Sequence, residues 1–305
     1  MATQTRQHVI EGPLDVVLRP GSEAEGAYRS AVLAPGFGPE PSLDLRFFGG
    51  RTLPSLRWAH VYLGRWDERD RGSLDRALSA AMRDEGLNTV LAQYFPAGQV
   101  TATFAGSHAH DVAVPGRVYR DTVERLVAGL DVGPAVACVL LPRGAILVDG
   151  TSDGSNALKD PDSDAVDSTH GLGGYHGSVH AGGTTRYYAV SVYSEGDNGI
   201  VAFDEPWKNV CATLYHELQE SRTDPDVEEA IRLGSSPGAE RLLGWYSPRG
   251  GEIGDIPMAE SGGRLDLVMQ EVELSDGSGT VPIQLMWSNA VGGPEGPVAT
   301  PRRPR

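Results

Sequence analysis

The sequence predicts an α/β fold in which helices flank one central mixed sheet. Two observations support this prediction. Segments with apolar residues at helical spacing alternate with short β-rich runs, and the run AVACVLLP is apolar throughout, as expected for a strand covered on both faces. Hydrophobic residues make up 40% of the 305-residue chain, which suffices for a sizeable core. We assign residues 46–291 to this single domain.

The first half of the chain alternates between loops, strands and helices. Residues 1–45 are rich in Pro and Gly and are interpreted as an N-terminal arm with entry loops. A buried strand is predicted from Leu56 through the run WAHVYLG. An amphipathic helix follows, with Leu74 and Leu78 on one face and Ser73 as its N-cap. A second helix is predicted over VYRDTVERLVAGLDVG, directly before the apolar strand.

The second half contains one long loop, a hairpin and a polar tail. Residues 149–170 carry six aspartates and four serines and are predicted to form a surface loop. A calcium site there is an alternative, because such oxygens are hard ligands, although the glycine and terminal glutamate of an EF-hand are missing. The runs GGYHGSVH and GGTTRYYAVSVY predict a β-hairpin. The composition of residues 292–305 is typical of a disordered tail.

Composition and charge exclude several classes of partner. The chain has 41 acidic and 26 basic residues and a net charge of −15, which argues against a nucleic-acid partner. No apolar stretch approaches the roughly 18 residues of a membrane span, so no membrane partner is expected. The N-terminus lacks an export signal, which predicts a cytoplasmic protein. Cys138 and Cys211 lie in apolar runs and are predicted to be buried free thiols.

The segment NVCATLYHELQESRTDP carries the most informative chemistry. It is predicted to form one helix, which Pro225 ends by disfavouring helical geometry at Asp224. At about 100° per residue, Leu214 and its apolar neighbours lie on one face, whereas His216 and Glu220 lie on the opposite face. The helix therefore presents an imidazole and a carboxylate one turn apart.

His216 and Glu220, four residues apart on a helix, can bind the same metal ion. The pattern matches His-Glu-x-x-His with Glu220 in place of the second histidine, and Glu217 stands where that motif has its general base. We expect Zn²⁺, with Mn²⁺, Fe²⁺ and Ca²⁺ as alternatives. The competing interpretation is an ordinary amphipathic helix whose polar face carries Glu and His.

Three carboxylates are candidates for a third ligand. Asp255 and Glu252 lie in the glycine-rich segment LGWYSPRGGEIGDIP, which can fold back over the helix. Asp224 at the end of the helix is the other candidate. The alternative for Asp224 is hydrogen bonding to backbone amides in the Asp-Pro turn.

Two further residues are candidates for stabilising an oxyanion. These are Tyr246 and His176, the latter also a candidate proton donor. The alternative for His176 is a hydrogen-bonded strand histidine without a role in the site. His180 lies on the same side of the predicted strand about 13 Å away, too far from His176 to share an ion.

Several short motifs, in order along the chain, resemble one known family. The motifs HELQESRTDP, GWY, GEIGD and QLMWSN, with YLGRW, QY and GYH upstream, are similar to those of bacterial and fungal relatives of the plant phosphate-induced, Exordium-like proteins. The resemblance spans roughly Leu56 to Ala290 and implies a zincin-like motif without naming a substrate. The resemblance implies an export signal and a cysteine soon after the Gly-Asp-Ile segment. Here Pro257 follows Ile256 and no export signal is found, and these departures favour an intracellular member.

These observations lead to one leading hypothesis and two alternatives. The first is a metal-dependent hydrolase of peptide or amide bonds, whose ion lowers the pKa of bound water while Glu217 takes the proton. The sequence does not identify the substrate, a peptide or small molecule, and it does not indicate the oligomeric state. The alternatives are a non-catalytic, metal-stabilised binding protein, and a metal-dependent lyase or isomerase of a biosynthetic pathway.

Overall fold

The computed structural model describes residues 9–10, 16–17 and 32–296, except 96–99, 134, 153–165, 182 and 235. The helices are α1 (Glu68–Arg83), α2 (Arg120–Gly129), α3 (Pro206–Thr223), α4 (Val227–Leu233), α5 (Asp255–Glu260) and α6 (Leu265–Val268). The strands are β1 (Val9–Ile10), β2 (Val16–Val17), β3 (Arg46–Phe47), β4 (Ser55–Leu63), β5 (Thr101–His110), β6 (Arg117–Tyr119), β7 (Val136–Leu140), β8 (Ile146–Val148), β9 (Gly174–Ala181), β10 (Thr184–Ser191), β11 (Trp245–Tyr246), β12 (Met269–Glu273), β13 (Thr280–Gln284), β14 (Trp287–Ser288) and β15 (Gly293–Pro294).

The central sheet has five strands in the order β5-β4-β7-β10-β9. Neighbouring strands are parallel from β5 to β10, and β9 pairs antiparallel with β10 as the second arm of a hairpin. All five residues of β7 are buried, as expected for a strand covered on both faces. The predicted mixed α/β fold, its apolar central strand and the hairpin are therefore confirmed.

Helices cover the sheet on both faces. Leu78 of α1 and Leu214 of α3 share a buried cluster with Tyr62 and Cys138 of the sheet. On the other face, Val123 of α2 belongs to a second cluster, together with strand residues whose side chains point to that face of the sheet. The layers are thus α1 and α3 on one face and α2 on the other.

Helix α1 begins earlier than the sequence suggests, so the prediction of Ser73 as its N-cap is wrong. The carboxylate of Asp67 caps the helix, accepting hydrogen bonds from the backbone amides of Arg69 at 2.8 Å and Asp70 at 3.3 Å. Ser73 lies inside the helix as a result. Both residue types are good caps, and the earlier one has its side chain in the required position.

Helix α3 is buried on all sides. Every residue from 209 to 223 is buried, including the face that carries His216 and Glu220. The helix ends at Thr223, because Asp224 adopts a non-helical conformation (φ −149°, ψ 67°) before Pro225. The predicted helix and its apolar face are confirmed, and its polar face is enclosed by other elements of the protein.

Cys138 and Cys211 are both buried free thiols, as predicted. Of the predicted loop at 149–170, residues 153–165 lie outside the described residues, and with them most of the alternative calcium site. Most of the predicted arm at 1–45 is also outside them. None of the helices in the described ranges is long and apolar enough to span a membrane.

The prediction of a disordered tail from residue 292 is wrong for residues 292–296. Residues 292–296 are buried, and β15 pairs antiparallel with β14. The backbone amides of Glu295 and Gly296 donate to the carbonyls of Met286 and Val32, at 2.9 and 2.7 Å. These backbone bonds hold the segment in place despite its polar composition. Residues 297–305 lie outside the described part of the chain.

Glu295 is buried, and no basic side chain in the described ranges forms an ion pair with it. Burial raises its pKa to about 7, from 4.5 in the unfolded chain. The folded state therefore binds the proton more tightly, and wild-type protein loses stability as the pH rises from 4.5 to about 7.

We expect Glu295→Gln to raise the free energy of unfolding at pH 8 by about 3 kcal/mol and to leave it nearly unchanged at pH 4. The neutral amide removes the cost of burying a charge. Urea unfolding of both proteins at pH 4, 6 and 8 measures the difference. Glu273→Gln, at an exposed position on β12, is the matched control. Parallel pH profiles for Glu295→Gln and wild type would contradict the prediction.

Candidate metal centre

The predicted site residues meet where α3, β9 and the segment before α5 come together. A cavity of about 320 Å³ opens over them. Its polar lining includes side chains from β9, from α3, from the segment that begins at Tyr246, and from β13. These side chains are His176, Thr213, His216, Glu217, Glu220, Tyr246, Glu252, Asp255 and Gln284. Residues distant in sequence therefore face one cavity.

The imidazole of His216 is oriented by a side-chain amide. Its Nδ1–H donates to Oε1 of Gln284 at 2.8 Å, and Nε2 of Gln284 donates to the carbonyl of Gly254 at 2.7 Å. The other ring nitrogen, Nε2, then faces Oε2 of Glu220 at 2.9 Å and Oδ1 of Asp255 at 3.7 Å. Such a hydrogen bond at the second nitrogen is typical of metal-ligating histidines, because it selects the tautomer that leaves the ligating nitrogen free.

Backbone amides bind only one of the two carboxylate oxygens of Glu220. Its Oε1 accepts hydrogen bonds from the amides of Gly254 and Asp255, both at 3.1 Å. Its Oε2 lies between two imidazoles, at 2.9 Å from Nε2 of His216 and 3.6 Å from Nδ1 of His176. One carboxylate oxygen is thus fixed by the backbone, and the other faces both histidines.

His176 is oriented in the same manner as His216. Its Nε2–H donates to the backbone carbonyl of Asp224 at 3.0 Å. Its Nδ1 lies 3.3 Å from Oε2 of Glu217, and Oε1 of Glu252 approaches Nε2 at 3.6 Å. Within the described residues, this buried oxygen of Glu252 has no hydrogen-bond partner.

Two sets of side chains have the spacing of metal ligands. We call His216, Glu220 and Asp255 the outer group, and His176, Glu217 and Glu220 the inner group. Within each group the candidate ligand atoms all lie within 4.8 Å of one another, and Glu220 belongs to both. These residues can hold a metal ion, since imidazole and carboxylate are ligands that Zn²⁺ and related ions accept.

Asp224 and Tyr246 lie beside these groups. Oδ1 of Asp224 accepts a hydrogen bond from the amide of Gly244 at 2.8 Å, and the residue belongs to neither group. Its buried Oδ2 has no hydrogen-bond partner in the described chain. Tyr246, half-buried on β11, lines the same cavity. The structure thus brings together all eight predicted candidate residues, including Glu252, and five of them belong to the two groups.

Both imidazoles favour the protonated state. Burial lowers the pKa of His176, but its hydrogen bond with Glu217 and the charge of Glu220 outweigh this effect and raise the pKa to about 9. Burial also opposes the charge on His216, yet Glu220 and Glu217 raise its pKa well above 6.5. Each ring therefore lies in a strongly negative environment that also attracts a metal cation.

The carboxyl groups show the same excess of negative charge. Burial raises the pKa of Glu217, Glu252 and Asp224, the last to about 7. The charge of Glu220 is the largest cause of the raised pKa of Asp255, also about 7. For Glu220, the neighbouring histidines outweigh burial and lower the pKa. Five carboxyl groups thus face two imidazoles, with no Lys or Arg among the described residues that line the cavity.

Gly254 allows the segment before α5 to approach the helix. A Cβ atom at this position would lie 2.5 Å from Nδ1 of His216, the atom that bonds to Gln284. The absence of a side chain is therefore a steric requirement of the site. Sequence reasoning did not assign a role to Gly254 or Gln284, although both occur in motifs that carry the family resemblance.

No protein-family model matches the chain, and no curated protein or solved structure matches it either. The resemblance to the Exordium-like proteins therefore stays a prediction. A function for this chain has to be inferred from the geometry of the site.

We expect Gly254→Ala to displace the His216 ring and to weaken binding of Zn²⁺ to the purified protein by at least about ten-fold, as for other losses of ligand orientation. Isothermal titration calorimetry after chelation measures the affinity. Gly116→Ala is the control, because nothing lies within 4 Å of a Cβ built there. Unchanged Zn²⁺ affinity in a folded Gly254→Ala variant would show that this contact does not orient His216.

Proposed function

We propose that the protein is a metal-dependent hydrolase of peptide or amide bonds, with its ion at the outer group. One observation carries the proposal: three candidate ligand atoms converge at a cavity while Glu217, an acid of raised pKa, lies one residue from His216. This combination of ligands and a nearby general base is what metal-assisted hydrolysis requires. The likeness of the motif to zincins supports the reaction class by analogy.

The outer group suits a catalytic ion because it is open on one side. The Asp255 side chain is 57% exposed, whereas that of Glu220 is 3% exposed. Three protein ligands with one open position are typical of catalytic zinc sites. When bound, the ion supplies a Lewis acid that polarises a substrate carbonyl and activates water.

Glu217 acts as the general base in this proposal. Burial raises its pKa above 4.5, which suits a group that accepts a proton from the attacking water and returns it to the leaving amine. Its Oε2 contacts Nδ1 of His176 at 3.3 Å, so the carboxylate is held in place. In the metal-free site, Glu217 and Glu220 raise the pKa of His176 to about 9 despite its burial, so the ring favours the protonated state beside Glu217.

Tyr246 and His176 are the proposed stabilisers of the oxyanion. Tyr246 lines the cavity together with Asp255, and burial raises its pKa, so the hydroxyl keeps its proton at neutral pH. A neutral phenol can donate a hydrogen bond to a developing negative charge. The substrate would be a peptide or a small amide that fits this cavity.

The inner group favours a second candidate, a non-catalytic protein stabilised by a structural ion. His176, Glu217 and Glu220 are all buried, and an ion there would take Glu217 as a ligand. A closed site without a free carboxylate has no general base. The two candidates therefore differ in which residues retain the metal.

We expect wild-type protein to contain about one transition-metal ion per chain, and His216→Ala and Glu220→Gln to lose it, because both residues belong to the outer group. Inductively coupled plasma mass spectrometry of untagged protein measures the content. His180→Ala, from the same strand as His176, is the control. Retention in His216→Ala together with loss in His176→Ala would assign the ion to the inner group and support the second candidate. Metal-free wild type that binds no added Zn²⁺ or Mn²⁺ would contradict both.

We expect Glu217→Gln to keep its metal and to lower kcat by about 10²- to 10⁴-fold, the usual contribution of a general base. The assay is cleavage of internally quenched fluorescent peptides of mixed sequence by wild-type protein and the variant. Glu271→Gln, an exposed substitution on β12, is the control. Equal rates in Glu217→Gln and wild type, with metal retained in both, would overturn this role for Glu217.

A further inference from the structure

A second cavity, of about 680 Å³, lies at the carboxyl ends of the parallel strands. Its walls come from residues 64–70 after β4, residues 112 and 114 after β5, Pro142 and Arg143 after β7, and Tyr193 after β10. Among the described residues, it shares none of its lining with the cavity over the metal centre. The two cavities are therefore separate features of the fold.

This cavity lies where the connections after two neighbouring strands leave the sheet toward opposite faces. The segment after β4 leads into α1 on one face, whereas the segment after the adjacent strand β7 leads to Ala145 and Leu147, which pack with α2 on the other face. Two adjacent parallel strands whose connections leave in opposite directions open a crevice at their carboxyl ends. In open α/β sheets, ligands bind at this position.

Aromatic and aliphatic side chains form the apolar part of the wall. The ring of Trp66 meets the ring of Tyr193 edge-on, with 5.0 Å between centroids. Pro142, Val112 and Val114 also line the cavity. Flat, rigid surfaces of this kind are suited to contact with a planar ring.

The acidic side chains of the wall already have hydrogen-bond partners. Asp67 accepts hydrogen bonds from two backbone amides as the N-cap of α1. Asp70 accepts one from the hydroxyl of Tyr193 at 2.6 Å. Both carboxylates are therefore oriented by contacts within the protein, although their negative charge remains in the wall.

The basic side chains are solvent-accessible. Arg143 pairs with Glu195 at 2.9 Å and donates a hydrogen bond to the hydroxyl of Tyr193 at 3.3 Å, yet its side chain is 65% exposed. Arg65 is exposed and has no ion pair or hydrogen bond within the described chain. Because the protein carries a net charge of −15, guanidinium groups around this cavity provide a local attraction for anions that opposes the overall negative charge.

We propose that this cavity binds a phosphate-bearing small molecule of about mononucleotide size. Arg65 and Arg143 contact the phosphate, since the planar guanidinium donates paired hydrogen bonds to phosphate oxygens. Trp66 and Pro142 contact the ring. The volume lies in the range of small-molecule sites. This site is independent of the proposed hydrolase function.

The test is isothermal titration calorimetry of the full-length protein with AMP, inorganic phosphate and adenosine as probes. We expect AMP to bind at one site per chain and more tightly than either phosphate or adenosine. Arg65→Ala should weaken AMP binding by about ten-fold or more, the usual effect of losing a charge-assisted hydrogen bond. Because Arg65 is exposed and unpaired in the described chain, the substitution should leave folding intact.

Two control variants distinguish AMP bound in this cavity from AMP bound elsewhere on the protein. Arg241→Ala, at another exposed arginine, should bind AMP as wild type does. His216→Ala should also bind AMP normally, because phosphate bound at the metal centre would be lost in that variant. The proposal is overturned if wild type shows no saturable AMP binding, if adenosine or phosphate binds as tightly as AMP, if Arg65→Ala keeps wild-type affinity, or if His216→Ala abolishes binding.

Discussion

The position of the Glu220 carboxylate inside the protein is the constraint around which the site is arranged. Two backbone amides hold one of its oxygens, and the imidazoles of His216 and His176 face the other. Each imidazole ring is in turn oriented by another part of the chain: Gln284 of β13 orients one ring, and the carbonyl of Asp224 orients the other. The hairpin β9–β10, the hairpin β12–β13 and the segment before α5 all serve to bring these partners to a fully buried helix.

Protons and a metal ion are alternative ways of neutralising the same charges. Without a metal, the five carboxyl groups of the site are compensated by two imidazolium rings and by retained protons, as the raised pKa values of Glu252, Asp224 and Asp255 indicate. A divalent cation bound there would replace those protons and release them to solvent. Its affinity would therefore increase with pH over the range in which Asp224 and Asp255 titrate, near pH 7.

Local patterns in the sequence predicted those parts of the structure that depend on neighbouring residues. The spacing of His216 and Glu220 predicted their shared helix face, and continuous apolar residues predicted β7. Asp67 and Ser73 near the start of α1 are both suitable N-cap residues, and the local pattern does not show which of them caps the helix. The contact of Glu217 with His176 spans 41 residues, and that of His216 with Gln284 spans 68. No periodicity or spacing encodes such contacts, because they follow from the packing of whole elements.

The long sequence separation of these contacts couples ion binding to folding of the domain. His216, Asp255 and Gln284 become neighbours only after α3, the segment before α5 and β13 have packed, so the unfolded chain contains no preformed site. An ion that binds only the folded chain shifts the folding equilibrium toward it, by about 2.7 kcal/mol at a free concentration one hundred times Kd. For a protein that holds an ion in this site, depletion of the metal would shorten the lifetime of the whole molecule in a proteolytic environment, since proteases cleave the unfolded population.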